Sequence, residues 1–420
     1  MTRLRAPRSG GQAWLDQNPY LAAIRAGMVA VVPLTIVGGL FMILTNLPIP
    51  GWNVIVAPYL QLLQVPVTAT FGVLAIVAGA AIAYELGKSF GQDAFATATT
   101  AVVVLLMISL DPVTLTFPSE ALGSRGLFTA ILVAIVSART QKVFTDHDLV
   151  IRLPASVPAI VRESFTSLVP LGVLIVGFWL VRFGLSLDIN AGVQAMFSPL
   201  MVALNTLPGI LGYALIVTLL WSVGINGDNA VDVVAAPVFL QYLSANTAAV
   251  SQGSTPPFVT AYGFFTTFVN VGGTGATLAL ALLLCRSRDA GYRKVARLSL
   301  PTQVFQINEP IFFGLPIVLN PIFMVPYVLN ALLLTGTTYA LMTWGLIRRP
   351  FISVPWTTPP ILGHYLVTGG DWRSAVWGVV SIAMAMAVYY PFARVATARR
   401  GGEAGQSSSR VTSGFSPKDA

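Results

Sequence analysis

Long apolar stretches alternate with short polar loops along most of this chain. They predict membrane spans at 27–47, 67–88, 95–110, 126–139 and 165–186 in the first half. Further spans follow at 208–224, 228–245, 258–284, 322–344 and 373–392. An α-helix needs about 20 mainly apolar residues to cross the hydrocarbon core. Two other apolar pieces, 304–321 and 350–368, are interrupted by Pro and Gly and are expected to enter the membrane and return. Residues 148–164 and 190–206 mix apolar and polar positions, the pattern of helices lying at the interface. The pattern therefore predicts an all-α integral membrane protein with about ten transmembrane helices and two re-entrant hairpins.

Composition supports this class. Of 420 residues 55% are hydrophobic and 10% charged, with mean hydropathy +0.76, against about 25% charged in soluble domains. The net charge of +8 comes from Lys and Arg gathered in short loops, as the positive-inside rule expects. No basic run is interleaved with aromatic residues, so nucleic acid is not an expected partner. Arg3, Arg5 and Arg8, then Arg139, Lys142, Arg152 and Arg162, then the five basic residues between Arg286 and Arg297, are assigned to the cytoplasm. The count leaves both termini inside, with Arg348 and Arg349 outside as exceptions. No removable signal peptide is expected. The organisation reads as a cytoplasmic N-terminus (1–26), an N-terminal helical half (27–189), a C-terminal substrate-binding half (190–398) and a disordered cytoplasmic tail (399–420). The single cysteine, Cys285, rules out an intrachain disulfide and reads as a packing residue. There is no phosphate-binding loop and no metal-ligand spacing between His147 and His364. No cofactor or metal is expected, and whatever energises the substrate must come from another chain.

The chemistry concentrates in three broken segments of the second half. Glu309 follows Asn308 and precedes Pro310 inside an apolar run that also carries Gly314, Pro316 and Pro321. A carboxylate at membrane depth costs about 2.5–3.5 kcal/mol on insertion scales and normally faces a cavity or a partner. Pro310 is expected to keep Glu309 out of a helix, so Asn308 and Glu309 form the tip of a re-entrant hairpin. The competing reading is a Pro-kinked span with a paired, structural Glu. The second segment, 221–229, holds Asn226 and Asp228 between Gly224 and Gly227; the third, 354–360, is Pro-rich and carries Trp356. Pairs of Gly/Pro-broken spans mark midplane transport sites. Amides and carboxylates bind sugar hydroxyls, and an indole covers a pyranose face. Ion coupling through Asp228, Asp232 or Glu309 stays open. The glycines of 271–277 and His364 read mainly as helix packing.

From about Pro19 to Ala393 the chain resembles the membrane (IIC) subunit of the lactose/cellobiose/diacetylchitobiose class of the bacterial phosphoenolpyruvate-dependent sugar phosphotransferase system. The specific pieces are Ile-Asn-Glu-Pro-Ile-Phe-Phe-Gly-Leu-Pro-Ile-Val-Leu-Asn-Pro (307–321), Val-Pro-Trp-Thr-Thr-Pro-Pro (354–360) and Thr-Gly-Gly-Asp-Trp-Arg (368–373), supported by Gly-Gly-Thr-Gly-Ala-Thr-Leu (272–278). The resemblance implies ten transmembrane helices, two re-entrant hairpins and a homodimer built on the N-terminal helices in the bacterial inner membrane. It also implies transport of a disaccharide or β-glucoside with phosphorylation at the 6-hydroxyl. The phosphoryl group would come from a phosphocysteine on a separate IIB protein, itself served by IIA. Glu309 and Trp356 fall at sugar-contacting positions, and Asn308 lies in the same motif. One position departs: the family usually reads Ile-His-Gly where this chain has Ile225-Asn226-Gly227. Asn226 can hydrogen-bond a sugar but cannot take a proton, so Asp228 or Glu309 is the candidate catalytic base. A non-phosphorylating facilitator, an ion-coupled transporter and a membrane sugar sensor are the alternatives.

Overall fold

The computed structural model describes residues 18–45, 51–154, 156–315 and 317–413. Among the described residues there is no β-strand. The helices are α1 (Pro19–Thr45), α2 (Leu60–Phe71), α3 (Leu74–Ser89), α4 (Ala94–Ser109), α5 (Leu127–Asp146), α6 (Ala159–Trp179), α7 (Ile189–Leu204), α8 (Leu207–Ser222), α9 (Gly227–Ser251), α10 (Thr277–Leu284), α11 (Ala290–Val304), α12 (Glu309–Gly314), α13 (Pro321–Thr343), α14 (Pro360–Val367) and α15 (Trp372–Ser413), joined by shorter turns. Seven helical segments among the described residues are long and apolar enough to cross a membrane, or eight if α7 and α8 form one broken span.

Three expectations change. The first helix begins at Pro19, not 27, because Asn18 caps it: its side-chain oxygen accepts from the backbone N–H groups of Tyr20 (3.0 Å) and Leu21 (3.3 Å). Asn before Pro is a strong helix start, so Arg25 lies inside the helix. The region 258–284 is not one continuous helix. A π-helical turn, Phe264–Val269, is followed by a glycine-rich turn and then by the eight residues of α10. The last helix runs through 399–413, where the sequence reads as an unstructured tail. Arg3, Arg5, Arg8, Pro316 and the tail beyond 413 lie outside the described residues.

The chain forms two compact units that interleave in sequence. The first comprises residues up to Gly209, Asp228–Tyr262 and Pro350–Ser353. Here α1, α3, α4 and α5 pack through small residues; a Cβ at Gly27 would lie 2.9 Å from the Ala78 carbonyl oxygen. Pro350–Ser353 has no helix to satisfy its carbonyls. Asn246 Nδ2 donates to Pro350 O (2.7 Å) and Thr247 Oγ1 to Phe351 O (2.7 Å). The second unit comprises Ile210–Gly227, Gly263–Arg349 and the chain from Val354 on. Its long helices α13 and α15 pack together, with the Trp377 indole donating to Thr338 Oγ1 (3.0 Å). All the broken segments except the start of α9 and Pro350–Ser353 belong to it.

Candidate functional site

In the second unit the irregular backbone is held by side chains that satisfy its polar groups. Gly272, Gly273, Gly275 and Ala276 all have positive φ, so the turn cannot make a helical ladder. Gln306 Oε1 accepts from the N–H groups of Gly272 (2.7 Å) and Gly273 (3.2 Å). Asn308 Nδ2 donates to Thr274 O (3.0 Å), and Tyr389 Oη donates to Gly275 O (2.7 Å). Gln306, Asn308 and Tyr389 are all buried. Non-helical backbone at membrane depth requires this kind of internal pairing. Gly273 is required by close approach, since its Cβ would sit 2.5 Å from Asn308 Cβ.

This clamp positions Glu309. Pro310 does not exclude it from a helix; Glu309 opens α12, with Pro310 in the first turn, where a missing N–H costs nothing. Its carboxylate is exposed, whereas Asn308 beside it is only 3% exposed. Of the two tip residues, then, one is scaffolding and the other is available to a ligand. Trp221 packs edge-on against Phe312 of α12 at 5.0 Å, and Leu319 N–H donates to Ser222 O (3.0 Å). These contacts tie the 308–320 segment to the end of α8.

The end of α8 is a Schellman stop. Ile225 N–H donates to Leu220 O (2.9 Å), and Gly224 N–H, at φ +84°, donates to Trp221 O (2.8 Å). Asn226 follows, half-buried, directly before α9, the position where Asn caps a helix. Asp228 is half-buried in the first turn of α9, where a negative charge suits the helix dipole. It belongs to the first unit, Asn226 to the second.

Trp356 precedes α14 and is 51% exposed, in a turn closed by Thr358 N–H and Oγ1 donating to Pro355 O (2.9 and 2.7 Å). His364 is fully buried, its Nδ1 paired with Pro360 O and its ring edge-on to Phe268 at 4.5 Å. It packs α14 on the π-helical turn, as the packing reading expected. The 368–373 motif is a second Schellman stop: Gly370 N–H donates to Tyr365 O (2.9 Å) and Gly369 N–H to Leu366 O (3.0 Å). Asp371 then accepts from Arg348 N–H (2.9 Å), Arg373 N–H (3.1 Å) and Arg373 Nε (3.0 Å). Burial works against its charge, yet these donors hold the carboxyl below its ordinary range. Sequence reasoning missed Gln306 and Tyr389, whose partners lie 34 and 114 residues away, and Asp371, whose only signal was its place directly after Gly369-Gly370.

Residues 25–331 match the family described as Phosphotransferase system, EIIC. The chain is 35% identical over 403 residues to the lichenan permease IIC component of Bacillus subtilis (strain 168), covering 90% of this chain and 89% of that one. It is 34% identical over 405 residues to the cellobiose-specific EIIC component of the phosphotransferase system of Geobacillus stearothermophilus, covering 90% of each. Its structure is similar to the crystal structure of ChbC, the IIC component of the N,N'-diacetylchitobiose-specific phosphotransferase system. The TM-score is 0.87 at 31% identity, covering 94% of this chain and 97% of that one.

Proposed function

The chain belongs to the EIIC family of the phosphotransferase system, a membrane sugar permease, and from that premise we propose that it delivers a β-linked disaccharide as its 6-phosphate. Its sugar is of the cellobiose, diacetylchitobiose or lactose kind, a reading supported by relatives named for lichenan, cellobiose and N,N'-diacetylchitobiose that it matches along almost its whole length. The observation that carries the site assignment is the exposed Glu309 carboxylate, fixed by a clamp of buried amides. Glu309 accepts sugar hydroxyls, Trp356 covers one pyranose face and Asn226 completes the polar surroundings, while Asn308 holds the turn beneath Glu309.

In the transfer step the sugar 6-hydroxyl oxygen attacks the phosphorus of a phosphocysteine on IIB. The new O–P bond forms as the S–P bond breaks, the thiolate leaves on IIB, and the hydroxyl proton passes to a carboxylate. Glu309 or Asp228 serves as that base, since Asn226 cannot. IIA recharges IIB. The chain works as a homodimer in the bacterial inner membrane, with ten crossings, the 304–321 and 350–368 pieces re-entrant, and both termini cytoplasmic. The basic 286–297 loop lies on the IIB side, as the positive-inside rule supports.

Vesicles carrying the protein, given labelled disaccharide with and without phosphoenolpyruvate and the soluble components, test this. Internal sugar should appear as the phosphate, and only in the complete mixture. Free sugar accumulating equally without the soluble components would favour the second reading, a facilitator on the same scaffold, which Asn226 motivates.

A further inference from the structure

The first unit contains a cavity of about 430 Å³ between α2, the 120–125 turn and the C-terminal part of α9. It lies in the size range of small-ligand pockets, about 300–1,000 Å³. Thr68, Glu120, Arg125, Gln241 and Ser244 line it, with Phe71 as an apolar wall. Arg125 and Glu120 are ion-paired, so the lining carries no net charge and selects neither an anion nor a cation. Gln241 is only 6% exposed, and its amide nitrogen has no hydrogen-bond partner among the described residues. A buried, unmatched amide is costly, and nothing in the proposed chemistry at Glu309 uses it. Gln241 stands fourteen residues beyond Gly227, about 21 Å along α9 at 1.5 Å per residue. The cavity therefore sits at the end of α9 away from the Asn226–Asp228 turn.

We propose that this cavity is a second sugar site, a vestibule that holds a neutral disaccharide at the far end of α9. Amide, hydroxyl and ion-paired groups supply both donors and acceptors, the match for a polyol. On the orientation proposed above, this end of α9 is the outer one, so the vestibule opens on the side from which sugar arrives. The assignment rests on the permease reading for its ligand class, but its test does not depend on transport.

In a Cys285→Ser background, Ser244→Cys and, on the facing helix, Thr68→Cys are labelled with a maleimide in detergent-purified protein. Cellobiose, N,N'-diacetylchitobiose or lactose should slow labelling several-fold at one of the two positions, while a non-sugar osmolyte should not. Protection should survive Glu309→Gln. Gln241→Leu should raise the half-protecting sugar concentration about 3- to 10-fold, the loss of one hydrogen bond, and leave the melting temperature equal or higher. The vestibule is overturned if no sugar protects, if the osmolyte protects equally, if Glu309→Gln removes protection, or if Gln241→Leu leaves it unchanged. Uptake without protection would sink the vestibule alone. Protection without uptake would sink the permease reading and leave the vestibule standing.

Discussion

Replacing Gly273 by Ala tests whether the glycine turn really sets the position of the proposed sugar-binding carboxylate. Two costs add at this residue. Its φ of +101° is strained for any L side chain, at about 1–2 kcal/mol. The new methyl would also lie 2.5 Å from both Asn308 Cβ and Cγ. Cβ cannot swing aside as a side-chain tip can; it moves only with its backbone. Overpacking of this kind costs about 1–3 kcal/mol, so the total is about 2–5 kcal/mol. Gly253→Ala is the internal control, with φ +73° and nothing within 4 Å of the added Cβ. It carries the backbone strain alone. Denaturation of the two purified variants should therefore differ by about 1–3 kcal/mol, and only Gly273→Ala should weaken sugar binding, by displacing the 306–309 turn. If the two variants are equally stable and bind sugar equally, the clamp does not position Glu309 and the argument fails.

Four further outcomes follow from the same geometry. Glu309→Gln should leave stability unchanged, because the carboxylate is exposed. It should weaken sugar binding by about 1.5–3 kcal/mol, a charge-assisted hydrogen bond, as read by equilibrium binding. Trp356→Ala should raise the sugar dissociation constant more than Trp356→Phe, and equal constants in both would make Trp356 an interfacial anchor instead. Asp371→Asn should cost about 1.5–3 kcal/mol at neutral pH. Its folded carboxyl is held below the unfolded value, so the stabilisation is full above the unfolded range and fades as pH falls through the folded one. The wild type and Asp371→Asn should converge in acid denaturation curves, and a constant gap would refute the charge assignment. Asn226→His should speed phosphoryl transfer if an imidazole is the missing base, whereas Asp228→Asn should abolish transfer if Asp228 has taken that role. Equal rates in all three proteins would leave Glu309 as the base.

Much of this was legible from the chain because apolar length and Gly/Pro breaks are local properties. The all-helical class, the long apolar helices and the interrupted character of 304–321 and 350–368 follow from them. The 258–284 region misled because composition cannot distinguish a crossing helix from two short apolar pieces joined by a turn. Gly272, Gly273 and Gly275 looked like packing glycines, and their positive φ emerges only once the turn is formed. Pro310 looked like a barrier to helix at Glu309, yet the first turn of a helix accepts it. Asn308 read as a ligand-facing amide because it neighbours Glu309. Its partner, Thr274, lies 34 residues away, and no spacing rule reaches that far.

The division of labour at the site then has a physical cause. A helix broken inside a membrane leaves N–H and C=O groups that lipid cannot satisfy. Here Gln306, Asn308 and Tyr389 satisfy them from buried positions, so these residues are committed to the backbone and have little left for a substrate. Glu309, one position beyond the clamp, has the opposite situation. It is exposed at the start of a short helix, where the helix dipole favours its charge. Asn226 shares features of both: it is half-buried, follows a Schellman stop and precedes the first residue of α9. A helix start is served well by Asn, and a histidine there would gain less from capping. Asn226 therefore suits a helix start but offers no titratable group. If the sugar is phosphorylated as proposed, a carboxylate must take the hydroxyl proton, and the rates of Asn226→His and Asp228→Asn decide between Glu309 and Asp228.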